Sequence, residues 1–377
     1  MRKFTWLVLI MTSLVLVMSG CGSSSAPIGK GRIVFAVENS NPREGVLYAL
    51  DLRSGKRKAL AEFYPMWSKW KDNARTPKSP ERAFGLSPDQ RKIGYFDTNH
   101  GLAVVDVYTS EITQLSQLSQ EEYVDYIVWS PDGTKMAFVK NGDLYVMDAS
   151  GSNLVRLAEQ TEAEYTGGRV SQGIDNPIWT ADGTGILYDD FRAPLTIKWG
   201  LDTPEYREIR VVDVATKKAR DIARHFLLSS VPGTNEVLFC DWNEGQPRYY
   251  LLDASTTDIR EAKLTSKRLY IFAWSPDGTR IAYVDENSLN TLEIDSGVER
   301  KISTVNPRVD SLAWSPDGNQ VAYIQFADAI LKLYVVSAEG GEPTRLDEIA
   351  VEKRVGGVKV LSEDLRVNFL TWLSEEQ

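Results

Sequence analysis

The chain has 377 residues, of which 42% are hydrophobic and 25% charged, and its formal net charge is −9. This is the make-up of a folded globular protein. The negative balance excludes the phosphate-neutralising surface that nucleic acid needs, and it argues against electrostatic attachment to anionic lipid. Only Cys21 and Cys240 are present; if Cys21 is acylated, no disulfide framework exists and the fold must rest on its core.

In chain order, the first element is a targeting segment. Arg2 and Lys3 precede an apolar run from Trp6 to Val17 that is too short for an ordinary membrane span. It ends in Met18-Ser19-Gly20-Cys21, followed by Gly22 and three serines. This resembles a bacterial lipoprotein signal, which implies cleavage before Cys21 and lipid on its sulfur. The alternative is an ordinary secretory signal in which Cys21 is incidental. The domain reading is therefore a signal peptide over residues 1–20, a flexible tether over 21–32 and a folded body over 33–377. Cys240 closes the apolar strand Val237-Leu238-Phe239 and reads as a buried small hydrophobe.

The body is a repeat. Ala313 to Tyr323 reads AWSPDGNQVAY, Ala273 to Tyr283 reads AWSPDGTRIAY, and Val128 to Phe138 reads VWSPDGTKMAF. Degraded copies stand at Gly85 to Tyr95 and Ile178 to Tyr188. Each unit is an apolar strand ending on Trp, a tight turn built by Pro, Asp and Gly, and a β-branched and aromatic second strand. A third strand such as Leu333-Tyr334-Val335-Val336 and a weaker fourth complete a sheet that is apolar on both faces. Such a sheet must stack on copies of itself, and radial stacking gives a β-propeller.

The units predict blades at about 83–115, 123–157, 175–223, 226–264, 269–302 and 309–346. In the fifth, Ser230-Val231-Pro232-Gly233 replaces the usual turn. Residues 33–60 supply three strands without a first one, and Val367 to Ser374 reads as a first strand without a second. The C-terminal strand is therefore expected to complete the N-terminal blade. The fold class is all-β, a propeller of seven four-stranded blades closed in this way, and residues 347–366 have no assigned place. These motifs resemble the TolB-like and PD40 (WD40-like) β-propeller repeats over most of the chain after residue 32. The resemblance implies an extracytoplasmic interaction scaffold, or a gating domain joined to a hydrolase.

The turn aspartates recur in every blade and read as architecture. The long insertions fall on the opposite end of the ring, carrying Phe63, Trp67 and Trp70 between the first two blades, Arg192 and Trp199 in the fourth, and Trp242 in the fifth. Exposed aromatics on one face suggest a binding surface, and packing within their own loops is the alternative for each. The position four residues before each motif Trp holds Asp125, Asp175 and Asp310, with Tyr270 in the sixth blade. This ring at the channel mouth either holds a cation or a basic side chain of a partner, or hydrogen-bonds to neighbouring backbone. No nucleophile elbow is present, and His100 and His225 are the only histidines. The expectation is a monomeric, lipid-anchored periplasmic or cell-surface scaffold without a cofactor. It binds a protein or peptide of the cell envelope and no nucleic acid. The alternative is a glycan-binding module or a carboxylate-based glycan-active enzyme.

Overall fold

The computed structural model describes residues 28–40, 43–63, 84–97, 101–117, 124–159, 163–165, 168–194, 206–223, 226–243, 246–264, 269–306, 308–327, 330–350, 352–355, 358–361 and 365–375. Every regular element among them is a strand, and none of them forms a helix long and apolar enough to cross a membrane.

The turn that defines the repeat explains itself in blade seven. Ser315 N donates to Gln320 O at 2.8 Å and Gly318 N donates to Ser315 O at 2.9 Å. The buried Ser315 hydroxyl donates to Asp317 Oδ1 at 2.6 Å and accepts from Gln320 N at 2.9 Å. Gly318 takes φ +69, which a side chain tolerates poorly. The same bonds recur at Ser130 with Asp132 and at Ser275 with Asp277, and Thr180 with Asp182 repeats them with a threonine. The hydrogen-bonding hydroxyls hold these carboxyls below the usual range, Asp132 at about 2 through Ser130 first.

Seven antiparallel blades result, each written here from its inner to its outer strand. Blade one is Leu365–Leu373, Arg32–Ser40, Arg43–Asp51 and Lys56–Phe63. Blade two is Gly85–Leu86, Lys92–Phe96, Gly101–Asp106 and Ile112–Gln117. Blade three is Val124–Trp129, Lys135–Lys140, Asp143–Asp148 and Val155–Ala158. Blade four is Gly168–Trp179, Gly185–Pro194, Tyr206–Asp213 and Ala219–Ala223. Blades five, six and seven begin at Phe226–Ser230, Phe272–Trp274 and Val309–Trp314. The expected closure holds: the C-terminal strand pairs with the first strand of the chain from Arg32↔Leu373 to Asn39↔Leu365.

Two features exceed the repeat. Blade four has a fifth strand, Ala163–Tyr165, on the far side of Gly168–Trp179. Residues left unassigned by the sequence include a two-stranded ribbon, Glu352–Val355 with Val358–Leu361. Blade five is real, because Val231 N donates to Glu236 O as the serine does elsewhere.

Among the described residues the core is divided into seven clusters of buried apolar side chains, one at each interface between adjacent blades, including the seam between seven and one. The motif tryptophans sew these interfaces. Trp129 Nε1 donates to Gly85 O, Trp179 to Val128 O and Trp314 to Ala273 O, each on the inner strand of the preceding blade. At the seam Trp372 donates to Lys30 O instead, and Gly29 N donates to Gln320 Oε1 of blade seven. A Cβ on Gly29 would stand 2.8 Å from the Trp372 ring, so this wedge requires glycine.

A second pattern runs through the blades. Each second strand buries an aromatic ring at one equivalent position, and blade two buries Phe96 beside its Tyr95. In blades one, three, five and seven that ring meets a tyrosine of the third strand: Phe35 with Tyr48, Phe138 with Tyr145, Phe239 with Tyr250, and Tyr323 with Tyr334. In blades two, four and six the facing residue is Ala103, Arg210 or Asn290.

Candidate functional site

The two ends of the ring differ. At one end blades two, three, four, six and seven turn on nearly the same hydroxyl and aspartate, and blade five keeps the backbone bond of that turn. At the other the blades have unequal heights. Blade three pairs its inner strand only one step beyond Asp125, to Val124↔Lys140, and its next hairpin turns on Asn141 and Gly142, both at positive φ. Blade four pairs five steps beyond Asp175, to Val170↔Pro194. Its wall therefore rises four rungs higher, about 13 Å at ~3.3 Å per residue.

At the foot of this wall is a cavity of about 190 Å³ against the outer strand of blade three. It is lined by Leu157, Glu159, Ile174, Tyr188, Asp190 and Arg210, among others. Its cause lies in the packing. Arg210 occupies the position where blades one, three, five and seven have a tyrosine, so Tyr188 has no cross-strand ring beside it. Arg210 is held by Asp190 at 3.2 Å and Asp221 at 2.8 Å. Burial opposes its charge, but Tyr188 and the two carboxylates outweigh it and raise its pKa. Burial raises the pKa of Tyr188. The pocket offers a fixed guanidinium and carboxylates to a small polar group or a projecting side chain.

Beside it is a buried latch between blades four and five. Asp189 is fully buried where other blades carry Ile324, Val284 or Phe96. It accepts from Leu227 N at 3.1 Å and from Asn176 Nδ2 at 2.7 Å, and Asn176 Nδ2 also donates to Leu227 O at 3.0 Å. Asn176 sits in a bulge of the inner strand at φ 52, and Tyr126 repeats this in blade three at φ 58. The bulge re-aims the inner strand towards its neighbour.

The expected site residues separate into groups. Phe63 is 2% exposed in the core between blades one and two, edge-on to Phe84 at 4.9 Å. It is a packing residue and offers no surface, because the outer strand of blade one runs on through it. Trp67, Trp70 and Trp199 lie outside the described residues. Arg192 and Trp242 lie in the raised hairpins of blades four and five, opposite Tyr206 and Pro247. Of the channel-mouth positions, Asp175 is buried and stands opposite Asp189 in register. Asp310 pairs with Arg308 at 3.4 Å and accepts from Val367 N of blade one at 3.4 Å, which is the backbone-bonding alternative for that residue. Tyr270 is 73% exposed. Asp125 is placed by its backbone, opposite Val139. Among the described residues no three His, Cys, Asp or Glu side chains form a metal-binding group. His100 and His225 lie outside them.

Residues 79–171 match the family described as the dipeptidyl peptidase IV N-terminal region, about a quarter of the chain. No curated protein matches in sequence. Among solved structures, an oligogalacturonate lyase in complex with manganese is similar at TM-score 0.59 and 13% identity, over 83% of this chain and 96% of that one. The oligogalacturonate lyase of Vibrio parahaemolyticus gives TM-score 0.57 and 10% identity, over 84% and 98%. TolB from Acinetobacter baumannii gives TM-score 0.48 and 15% identity, over 92% and 67%. The likeness to the two lyase structures agrees with the β-propeller fold described above and shows the fold alone. Propellers carry many unrelated activities, so function must come from the site.

Proposed function

We propose that the chain is a lipid-anchored, extracytoplasmic propeller scaffold that binds a protein or peptide of the cell envelope on its uneven end. The observation that carries this reading is the blade-four wall with the Arg210 pocket at its foot. It is one asymmetric feature on a ring whose other end is repetitive. A wall beside a pocket holding a fixed guanidinium suits an extended peptide with an acidic or carbonyl-rich side. The sequence around Cys21 supports the anchor.

The second reading is a glycan, supported by the likeness to oligogalacturonate lyases and by the facing carboxylates Asp175 and Asp189. It ranks lower because Asp189 is committed to bonds across the blade interface. The test is cross-linking and pull-down from native membranes, run beside a glycan array. The chain is compared with a variant in which residues 190–208 are replaced by the Asn-Gly turn of blade three, its folding checked by thermal melting. A protein captured by the native chain and lost from the folded variant supports the first reading. A glycan bound with no protein partner overturns it.

A further inference from the structure

The wedge at the seam fixes where the chain enters the ring. Gly31 O accepts from Leu52 N at 3.1 Å, and Lys30 and Arg53 both reach Glu375, at 3.9 and 2.9 Å. Ser374 N donates to Gln90 Oε1 in the repeat turn of blade two. The tether therefore leaves from the repetitive end, beside the outer turn of blade one. From Cys21 to Ile28 the chain spans at most about 25 Å even fully extended. This corner cannot move far from whatever holds Cys21.

The same corner differs in charge from its equivalents. The outer turns of blades two, three, five, six and seven, residues 106–112, 148–154, 253–259, 293–299 and 337–343, contain no Lys or Arg. The equivalent residues 51–57 of blade one contain Arg53, Lys56 and Arg57; Lys58 follows in its outer strand, as Arg260 and Arg300 follow in blades five and six, and Lys30 and Arg32 stand beside the turn. These six bases face three carboxylates: Asp51, Asp347, which pairs with Arg57 at 2.6 Å, and Glu375. The side chains of Lys30 and Arg53 are 79% and 81% exposed, and Lys56 and Lys58 are also exposed. A net charge of −9 hides this local excess.

We propose that this corner docks on anionic lipid headgroups, so that blade one tips toward the bilayer and the uneven end faces away from it. The docking rests on the anchored reading of Cys21, since a weak basic patch needs the tether to concentrate it at the surface. Each basic residue near an anionic surface contributes roughly fivefold to binding, and salt screens it within about a Debye length. The acidic turns of the other blades keep the rest of this end off the surface, which converts attraction into tilt.

The test uses the full chain isolated from membranes and held in vesicles of phosphatidylcholine, with or without phosphatidylglycerol. Deuterium uptake is followed at residues 52–58 of blade one and 214–218 of blade four, whose Lys217 and Lys218 give a basic turn far from the tether. Phosphatidylglycerol is expected to slow exchange severalfold at 52–58 and not at 214–218. The protection should vanish in high salt and in Arg53→Glu/Lys56→Glu/Lys58→Glu, but survive Lys217→Glu/Lys218→Glu. Equal protection at both turns, or none with phosphatidylglycerol, overturns the proposal. The mass of the N-terminal peptide reports lipid on Cys21 separately. If none is present, the anchor reading fails, and a maleimide phospholipid coupled to that thiol supplies the tether for the same measurement.

Discussion

The two ends of this ring were shaped under different demands. At the repetitive end the same residues solve the same problem in blade after blade: a buried hydroxyl, an aspartate with lowered pKa and a glycine reverse the chain. At the uneven end each blade has its own solution, and charges are buried there, as at Asp189, or paired, as at Arg210 and Asp310. Repetition marks what the ring needs to stand. Departure from it marks where the molecule is particular.

This contrast can be broken most severely at the seam. Trp372→Ala removes a buried ring and its bond to Lys30 O, and should cost about 3–5 kcal/mol, read as the denaturant midpoint. If the loss is no larger than that of an exposed turn substitution, the closing strand does not hold the ring. Next comes Asp189→Ala, which strands Leu227 N in a buried site and should cost about 2–3 kcal/mol. A neutral result would mean that the latch between blades four and five contributes nothing. The smallest effect belongs to one repeat turn. Ser130→Ala should cost about 1 kcal/mol, because the other turns remain.

A pH titration sharpens the same point. The carboxyls of Asp132, Asp182 and Asp317 titrate lower in the folded chain than unfolded, chiefly through their Ser130, Thr180 and Ser315 hydroxyl donors. Their contribution is fully present above an unfolded value of about 4 and is lost as pH falls toward the folded value, about 2 for Asp132. Melting temperature should fall steadily over that window, and Ser130→Ala should flatten part of the slope. A melting temperature unchanged from pH 5 to 2 would contradict the role given to these turns.

Much of the ring could be read from the chain because its signals are local. The turn strings, the buried ring of each second strand and the unpaired strands at the two ends specify seven blades and their closure. The raised wall could not be read this way, because the pairing of Val170 with Pro194 depends on strand length and bears no motif. Phe63 was expected among the loops because aromatics cluster after it, but its outer strand runs on into the core. Asp189 and Arg210 did leave a trace: an acid where other repeats have an apolar residue, and a base where four of them have tyrosine and none has a charge. Comparing repeats position by position finds such residues, whereas searching for conserved strings passes over them.

The alternation of aromatic pairs has one more consequence. Seven is odd, so a pattern that alternates around the circle must fail once, and it fails at blade seven. Phe35 with Tyr48 presses on one flank of that blade, and its own Tyr323 with Tyr334 presses on the other. Every other blade has one such flank and one without. Blade seven is thus the keystone of the arch, and the joints flanking blade six from five, blade four from three and blade two from one are where the arch should part first as it warms.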